Sequence, residues 1–166
     1  NRERVVIVAS QGQFAWPTPT VAKPVPAGIA LGELATSAPS DGKYLTPSQD
    51  RYIEVYERKS KCVRTRDLHL DRPARTLTCR NLGASTSDMH RIRLPDGRRR
   101  MLTAREGARL QSFPDWFQFV GKEYSVAKQI GNAVPPLMAH AIAVQALKSI
   151  NGDHFTLSGQ LEFVHD

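Results

Sequence analysis

Two arginines two residues apart, Arg2 and Arg4, stand at the start of an unbroken apolar run, Val5-Val6-Ile7-Val8-Ala9. On an extended backbone such residues point to the same side. A guanidinium held there is a charge-assisted donor that does not deprotonate, suited to an oxygen on which negative charge develops. Arginines that merely solvate a strand end show the same pattern, and the pattern alone leaves both readings open. A second candidate is Gly131-Asn132, followed by Ala133-Val134-Pro135-Pro136. Glycine allows close backbone approach, and the Asn amide both donates and accepts at a polar ligand. An ordinary turn before a proline-started helix uses the same residues. A third group is Arg75, Thr76, Leu77, Arg80, Asn81, Ser85 and Thr86. Arg can pair with guanine and Asn with adenine at base edges, while Arg64, Arg66, Arg91, Arg93, Arg98, Arg99 and Arg100 suit phosphates. Cys62 and Cys79 are far apart, with no His or Cys at ligand spacing, which argues against a structural zinc site and for free thiols in a reducing compartment.

The elements that position these residues can be read along the chain. Residues 5–9 have the pattern of a strand covered on both faces of an α/β sheet. A lone strand needs neighbours on its edges, and the residues that follow do not alternate helix with strand. Residues 11–45, rich in Pro, Ala, Gly and Ser, read as a long irregular crossing segment. Thr46-Pro47-Ser48-Gln49 is a helix start, with Thr as N-cap, Pro at the first helical position and Gln closing a capping box. That helix runs to about Lys59 and is expected to bury Tyr52, Ile53 and Tyr56.

Beyond residue 72 the texture changes to short strands and turns. Arg75-Thr76-Leu77-Thr78-Cys79 reads as a strand, followed by a loop over residues 81–87. His90-Arg91-Ile92-Arg93-Leu94 alternates, with Ile92 and Leu94 on one face and the arginines on the other. Pro95-Asp96-Gly97 turns the chain. The expected result is a small β-rich lobe with a basic face. Thr103 and Glu106 form a second capping box, opening a helix that Pro114 ends. Ala104, Gly107, Ala108 and Gln111 give that helix a small-residue face for close packing. Pro135 and Pro136 open a last helix to about Lys148, apolar nearly all round and expected to be buried on most sides.

The 166 residues suffice for one ordinary domain, and the formal charge of +7 favours a polyanionic partner. No apolar run reaches membrane-spanning length.

Two segments of this sequence carry a family resemblance. Leu102-Thr103-Ala104-Arg105-Glu106-Gly107-Ala108-Arg109-Leu110-Gln111-Ser112-Phe113-Pro114-Asp115 and Gln129-Ile130-Gly131-Asn132-Ala133-Val134-Pro135-Pro136 resemble, in this order, the last two blocks of the DNA cytosine-5 methyltransferases. Arg2-Glu3-Arg4 with its β-branched run, and Phe14-Ala15-Trp16-Pro17-Thr18-Pro19-Thr20, resemble the family just before its target-recognition region. The family's Phe-x-Gly-x-Gly turn, Pro-Cys nucleophile and Glu-Asn-Val block do not occur here, and Cys62 and Cys79 follow Lys and Thr.

The resemblance implies the C-terminal part of a Rossmann-like, S-adenosylmethionine-dependent α/β methyltransferase with a small β-rich target-recognition lobe. Residues 1–20 would end the catalytic core, 21–100 form the lobe, 101–150 carry the final blocks and closing helix, and 151–166 form a tail. It implies a catalytic role for Arg4 at the O2 oxygen of a flipped cytosine, with Arg2 in support. Asn132 and Ala133 would meet S-adenosylmethionine, with no metal. Arg75, Thr76, Leu77, Arg80, Asn81, Ser85 and Thr86 would meet double-stranded DNA. The implied partners are that DNA and an N-terminal catalytic portion or subunit, without which the chain is inactive. The implied setting is a bacterial cytoplasm, associated with the nucleoid and not with membrane. The competing expectations are a non-catalytic, sequence-specific DNA-binding module and a generic basic RNA-associated protein.

Overall fold

A computed structural model describes residues 5–10, 13–19, 21–39 and 42–151. Its described part mixes helices with one antiparallel hairpin. In chain order these are α1 (Ala27–Leu31), a 3₁₀ turn (Gly32–Ala35), α2 (Pro47–Lys59), α3 (Cys79–Gly83), β1 (Arg91–Arg93), β2 (Arg99–Met101), α4 (Ala104–Leu110), α5 (Glu123–Asn132) and α6 (Pro136–Asn151).

The hairpin organises the rest. β1 and β2 pair in the register Arg91 with Met101, Ile92 with Arg100 and Arg93 with Arg99. Gly97, at φ 87°, makes the turn, and its N–H donates to the Leu94 carbonyl at 2.9 Å. Side chains alternate across a strand pair, so Ile92 and Arg100 share one face while Arg91, Arg93, Arg99 and Met101 share the other. Both faces are covered. Ile92 and Leu94 join the main core with Leu77 and Leu82 around α3, Ala108 and Phe113 around α4, and Val126, Ala127 and Ile130 of α5. On the other side Met101 packs with Met89 and with Ile53 of α2. Burying each such side chain contributes about 2 kcal/mol.

Covering both faces has a consequence that the alternation does not predict. Arg91 and Arg100 are fully buried and Arg99 nearly so. Each is matched by carboxylates from another element. Arg91 donates to Asp67 Oδ1 at 2.6 Å and to Glu57 Oε1 of α2 at 2.5 Å. Arg99 lies 3.4 Å from Glu54 and 3.5 Å from Asp50, both on α2. Arg100 donates to Glu106 Oε1 at 2.6 Å and Oε2 at 2.8 Å, and to the carbonyls of Leu34 and Ser37. Three arginines of the expected basic face therefore form an internal ion-pair frame, while Arg93 and Arg98 stay exposed. A buried guanidinium without partners would be prohibitively costly, so the burial of these three arginines depends on the carboxylates around them.

Helix starts follow the expected chemistry. Thr46 caps α2, with Gln49 completing the box and Pro47 in the first turn. Ile53 is buried, but Tyr52 is 59 % exposed, and Tyr56 is half-buried under the Arg66 guanidinium. Thr103 and Glu106 close the box of α4. That helix ends at Leu110, short of Pro114, because Ser112 turns left-handed at φ 61°.

Four elements depart from expectation. Inside the segment 11–45, read as irregular, residues 27–35 form α1 and the 3₁₀ turn. Residues 75–79 are not a strand: Thr78 caps α3 through a box completed by Asn81. Residues 5–9 form no ladder, and Val5 and Ile7 are 90 % and 88 % exposed. No described segment offers them an edge. Helix α6 has no fully buried residue despite its apolar composition. Among the described residues no single helix is long and apolar enough to cross a membrane, and no group of three metal-ligating side chains converges.

Candidate functional site

The segment carrying Arg75, Thr76 and Leu77 approaches α3 in an extended conformation and is held by its own polar groups. Asn81 Oδ1 accepts the Thr78 N–H at 2.8 Å, and its Nδ2 donates to the Thr76 carbonyl at 3.0 Å. His90 Nε2 lies 3.3 Å from the same carbonyl, placing a ring proton on that nitrogen. Burial, helped by the nearby Arg75 charge, holds the His90 pKa down at about 4, so this buried ring is neutral at pH 7. Arg75 Nη1 donates to Asp88 Oδ1 at 2.8 Å, and Arg66 donates to the same oxygen at 3.1 Å. Burial pushes the Asp88 carboxyl up. The Arg75 hydrogen bond and the two guanidinium charges outweigh it, leaving its pKa below the usual carboxylate value. The loop that follows is tied to α2, where Gln49 Nε2 donates to Ser85 Oγ at 2.8 Å.

The segment from Leu102 to Asp115 and the segment from Gln129 to Pro136 meet behind α3. Gln111 donates to the Ile130 carbonyl at 3.3 Å, and Ser112 Oγ accepts the Leu137 N–H at 3.2 Å. Two glycines make the packing tight. A Cβ at Gly107 would lie 2.7 Å from Leu82 Cδ2. One at Gly131 would run into the backbone of Thr78 and Cys79, 2.6 Å from the Thr78 carbonyl carbon. Arg105 donates to the carbonyls of Pro114 and Phe117. Arg109 pairs with Asp115 and donates to the Leu31 carbonyl at 2.8 Å, which fastens α4 to α1.

Between these parts lies a cleft of about 780 Å³ with mostly apolar walls. Ile29 and Ala30 of α1, Arg75 and Thr76, and Leu137 and Met138 of α6 line it. Asn132 is exposed at the end of α5, next to Ala133, whose N–H donates to the Gln129 carbonyl at 3.1 Å.

Residues 1–148 match the family model for C-5 cytosine-specific DNA methylase. The chain belongs to that family. It is 60 % identical over 144 residues to the type II methyltransferase M.AplI of Arthrospira platensis, covering 86 % of this chain and 42 % of that protein. It is 32 % identical over 160 residues to the type II methyltransferase M.NgoMIV of Neisseria gonorrhoeae, covering 92 % of this chain and 51 % of that protein. The chain thus spans about half, or less, of these relatives. No solved structure matches it.

In this methylase-family chain the sequence-derived candidates differ in where the structure places them. Arg2 and Arg4 lie outside the described residues, as does the tail from residue 152. Arg75, Arg80, Ser85 and Asn132 keep part or all of their side chains accessible. Leu77 and Asn81 do not: Leu77 is core, and both ends of the Asn81 amide are spent on the cap and on Thr76. Neither side chain is exposed at the surface of this structure. Thr86 is half-buried, and its Oγ1 is fully buried without a hydrogen-bond partner in the described structure. Gly131 brings the backbone close to Thr78 and Cys79 of its own chain. Sequence reasoning missed Asp88 and Glu106, which hold Arg75 and Arg100. For Glu106 the capping box was the visible signal; for Asp88 there was none.

Proposed function

We propose that this chain is the C-terminal side of a DNA (cytosine-5-)-methyltransferase, supplying target recognition and part of the base and cofactor pockets. The observation that carries the reading is the convergence of the two C-terminal family segments on one packed unit around α3, with Asn132 left exposed at its rim. In this reading the hairpin, α2 and the 84–88 loop form the target-recognition lobe, and residues 101–150 close on a Rossmann-like core. The divisions implied are 1–20, 21–100, 101–150 and the tail 151–166. Arg75, Arg80 and Ser85 face double-stranded DNA.

The residues at the rim fit a polar cofactor. The exposed Asn132 amide can both donate and accept, so Asn132 and the backbone of Ala133 would hold S-adenosylmethionine, which supplies the methyl group. Arg4 donates to the O2 oxygen of an extruded cytosine as electron density moves onto that edge of the ring, and Arg2 supports it. Its guanidinium cannot lose a proton, so this contact holds across the working pH range. The Pro-Cys, Glu-Asn-Val and Phe-x-Gly-x-Gly blocks do not occur among these 166 residues. Methyl transfer then takes a complement that carries them, in a bacterial cytoplasm and alongside a restriction activity.

The test mixes the chain with an N-terminal methylase portion bearing those blocks and follows labelled methyl transfer to duplex DNA. Transfer that vanishes on Arg4→Ala supports the reading. DNA binding with no transfer in any combination would make the chain a non-catalytic DNA-binding module.

A further inference from the structure

Arg91, Arg99 and Arg100 of the hairpin are consumed internally, so much of the positive charge available to a partner lies elsewhere. Four cations occur within seven residues where α2 ends: Arg58, Lys59, Lys61 and Arg64. All four are exposed, and none forms an ion pair among the described residues. The neighbouring carboxylate, Glu57, is turned inward and bonded to Arg91 and to the Arg66 N–H. The local charge is therefore uncompensated and faces outward.

The backbone of this turn supplies a second, independent observation. The Cys62 N–H donates to the Glu57 carbonyl at 3.1 Å, and the Lys61 N–H to the Arg58 carbonyl at 3.2 Å. These two bonds define a Schellman ending, whose left-handed position is normally taken by glycine or asparagine. Here Lys61 occupies it at φ 50°. A lysine in the left-handed region is strained relative to glycine, and its side chain gains no ion pair among the described residues in return. The position thus gives up conformational ease and keeps a cation in solvent.

We infer that this basic turn is a phosphate-contact surface for duplex DNA, engaging the backbone through Arg58, Lys59, Lys61 and Arg64. The inference rests on the methyltransferase reading for its choice of partner. Long, unpaired cations on a convex turn match the spaced charges of a duplex backbone. They add affinity and orientation without reading sequence.

The experiment measures binding of the full 166-residue chain to a labelled duplex by fluorescence anisotropy between about 50 and 200 mM salt. Each phosphate contact adds about 0.9 to the slope of log K against log salt. Lys61→Gly should lower that slope by about one, with a melting temperature at or above that of the unaltered chain, which separates lost contact from misfolding. The fourfold variant Arg58→Gln, Lys59→Gln, Lys61→Gly, Arg64→Gln should lower it by about three to four, leaving discrimination between duplex sequences unchanged.

Three outcomes overturn the inference: a slope the same in all three proteins, no salt-dependent binding by the unaltered chain, or a loss confined to structured RNA. Methyl transfer in the complemented enzyme tells the two readings apart. Unchanged slopes with transfer intact sink the basic turn alone. Reduced slopes with no transfer in any combination sink the methyltransferase and leave the DNA-contact surface standing.

Discussion

Removing the Glu106 carboxylate should unfasten the hairpin from α4. Glu106 and Arg100 are 1 % and 0 % exposed, so neither can turn to water when its partner is lost. Glu106 Oε2 also accepts the Thr103 N–H at 2.8 Å, so one side chain serves the ion pair and the helix cap together. Breaking a buried pair from one side costs about 3–5 kcal/mol. Losing the cap adds about 1 kcal/mol. Glu106→Ala should therefore lose about 4–6 kcal/mol, a large part of the roughly 5–15 kcal/mol that stabilises a domain. Glu106→Gln keeps an acceptor for the cap but not the charge, and should lose about 3 kcal/mol. Replacing both partners, Arg100→Met with Glu106→Leu, removes the stranded charge. It should recover to within about 2 kcal/mol of the native chain, the remainder reflecting the lost Thr103 cap and the Leu34 and Ser37 carbonyls left without a donor. Urea unfolding followed by circular dichroism checks all three. A loss below about 1 kcal/mol for Glu106→Ala, or a double variant no better than the single, would refute the reasoning.

Other expectations concern pH, packing and the cofactor rim. His90 has a native pKa of about 4 against 6.5 in the unfolded chain. Between those values the unfolded chain takes up a proton that the native one refuses, so stability falls as pH drops from 6.5 to 4. The loss reaches about 3 kcal/mol at the lower end and is absent above pH 6.5. Urea midpoints of the native chain and His90→Gln across that window should diverge in slope; parallel slopes would show His90 titrating freely. Gly131→Ala meets backbone that cannot yield and should cost about 2–3 kcal/mol. Gly107→Ala meets only the tip of Leu82 and should cost about 1 kcal/mol; thermal melts that reverse this order would contradict the packing. Asn132→Ala should raise KM for S-adenosylmethionine on the order of tenfold in the complemented enzyme while moving stability by less than about 0.5 kcal/mol. An unchanged KM would remove Asn132 from the cofactor rim.

What was legible in the sequence was local. The capping boxes at Thr46 and Thr103 depend on four consecutive residues, and both form as read. The hairpin was legible because Pro95-Asp96-Gly97 and the Ile92/Leu94 alternation agree. Thr78 escaped notice because its box closes with Asn81 in place of Glu or Gln, and because the β-branched residues before it imitate a strand. Placing Leu77 in the core settles that segment, and the core is a tertiary fact. The burial of Arg91 and Arg99 was hidden for the same reason. Glu57, Asp67 and Glu54 are 24 to 45 residues away from the arginines they bind. Of the site, the family segments were readable. The withdrawal of Asn81 into a cap was not.

The ion-pair frame beneath the hairpin separates what supports the 84–88 loop from what that loop displays, and this bears on re-engineering. The supports are few: Asp88 for Arg75 and Arg66, the Ser85 hydroxyl for Gln49, and the Ser87 carbonyl, 3.4 Å from Arg91 Nη1. A grafted loop that keeps an aspartate at the last position and a hydroxyl at the second inherits a prepared seat. Its other side chains can then be exchanged without reopening the hairpin. The arginines themselves have no such freedom, because lysine cannot reproduce the forked contacts of Arg91 and Arg100. Under the proposed recognition role, libraries for altered specificity belong in the loop, on a scaffold whose charged residues are held constant.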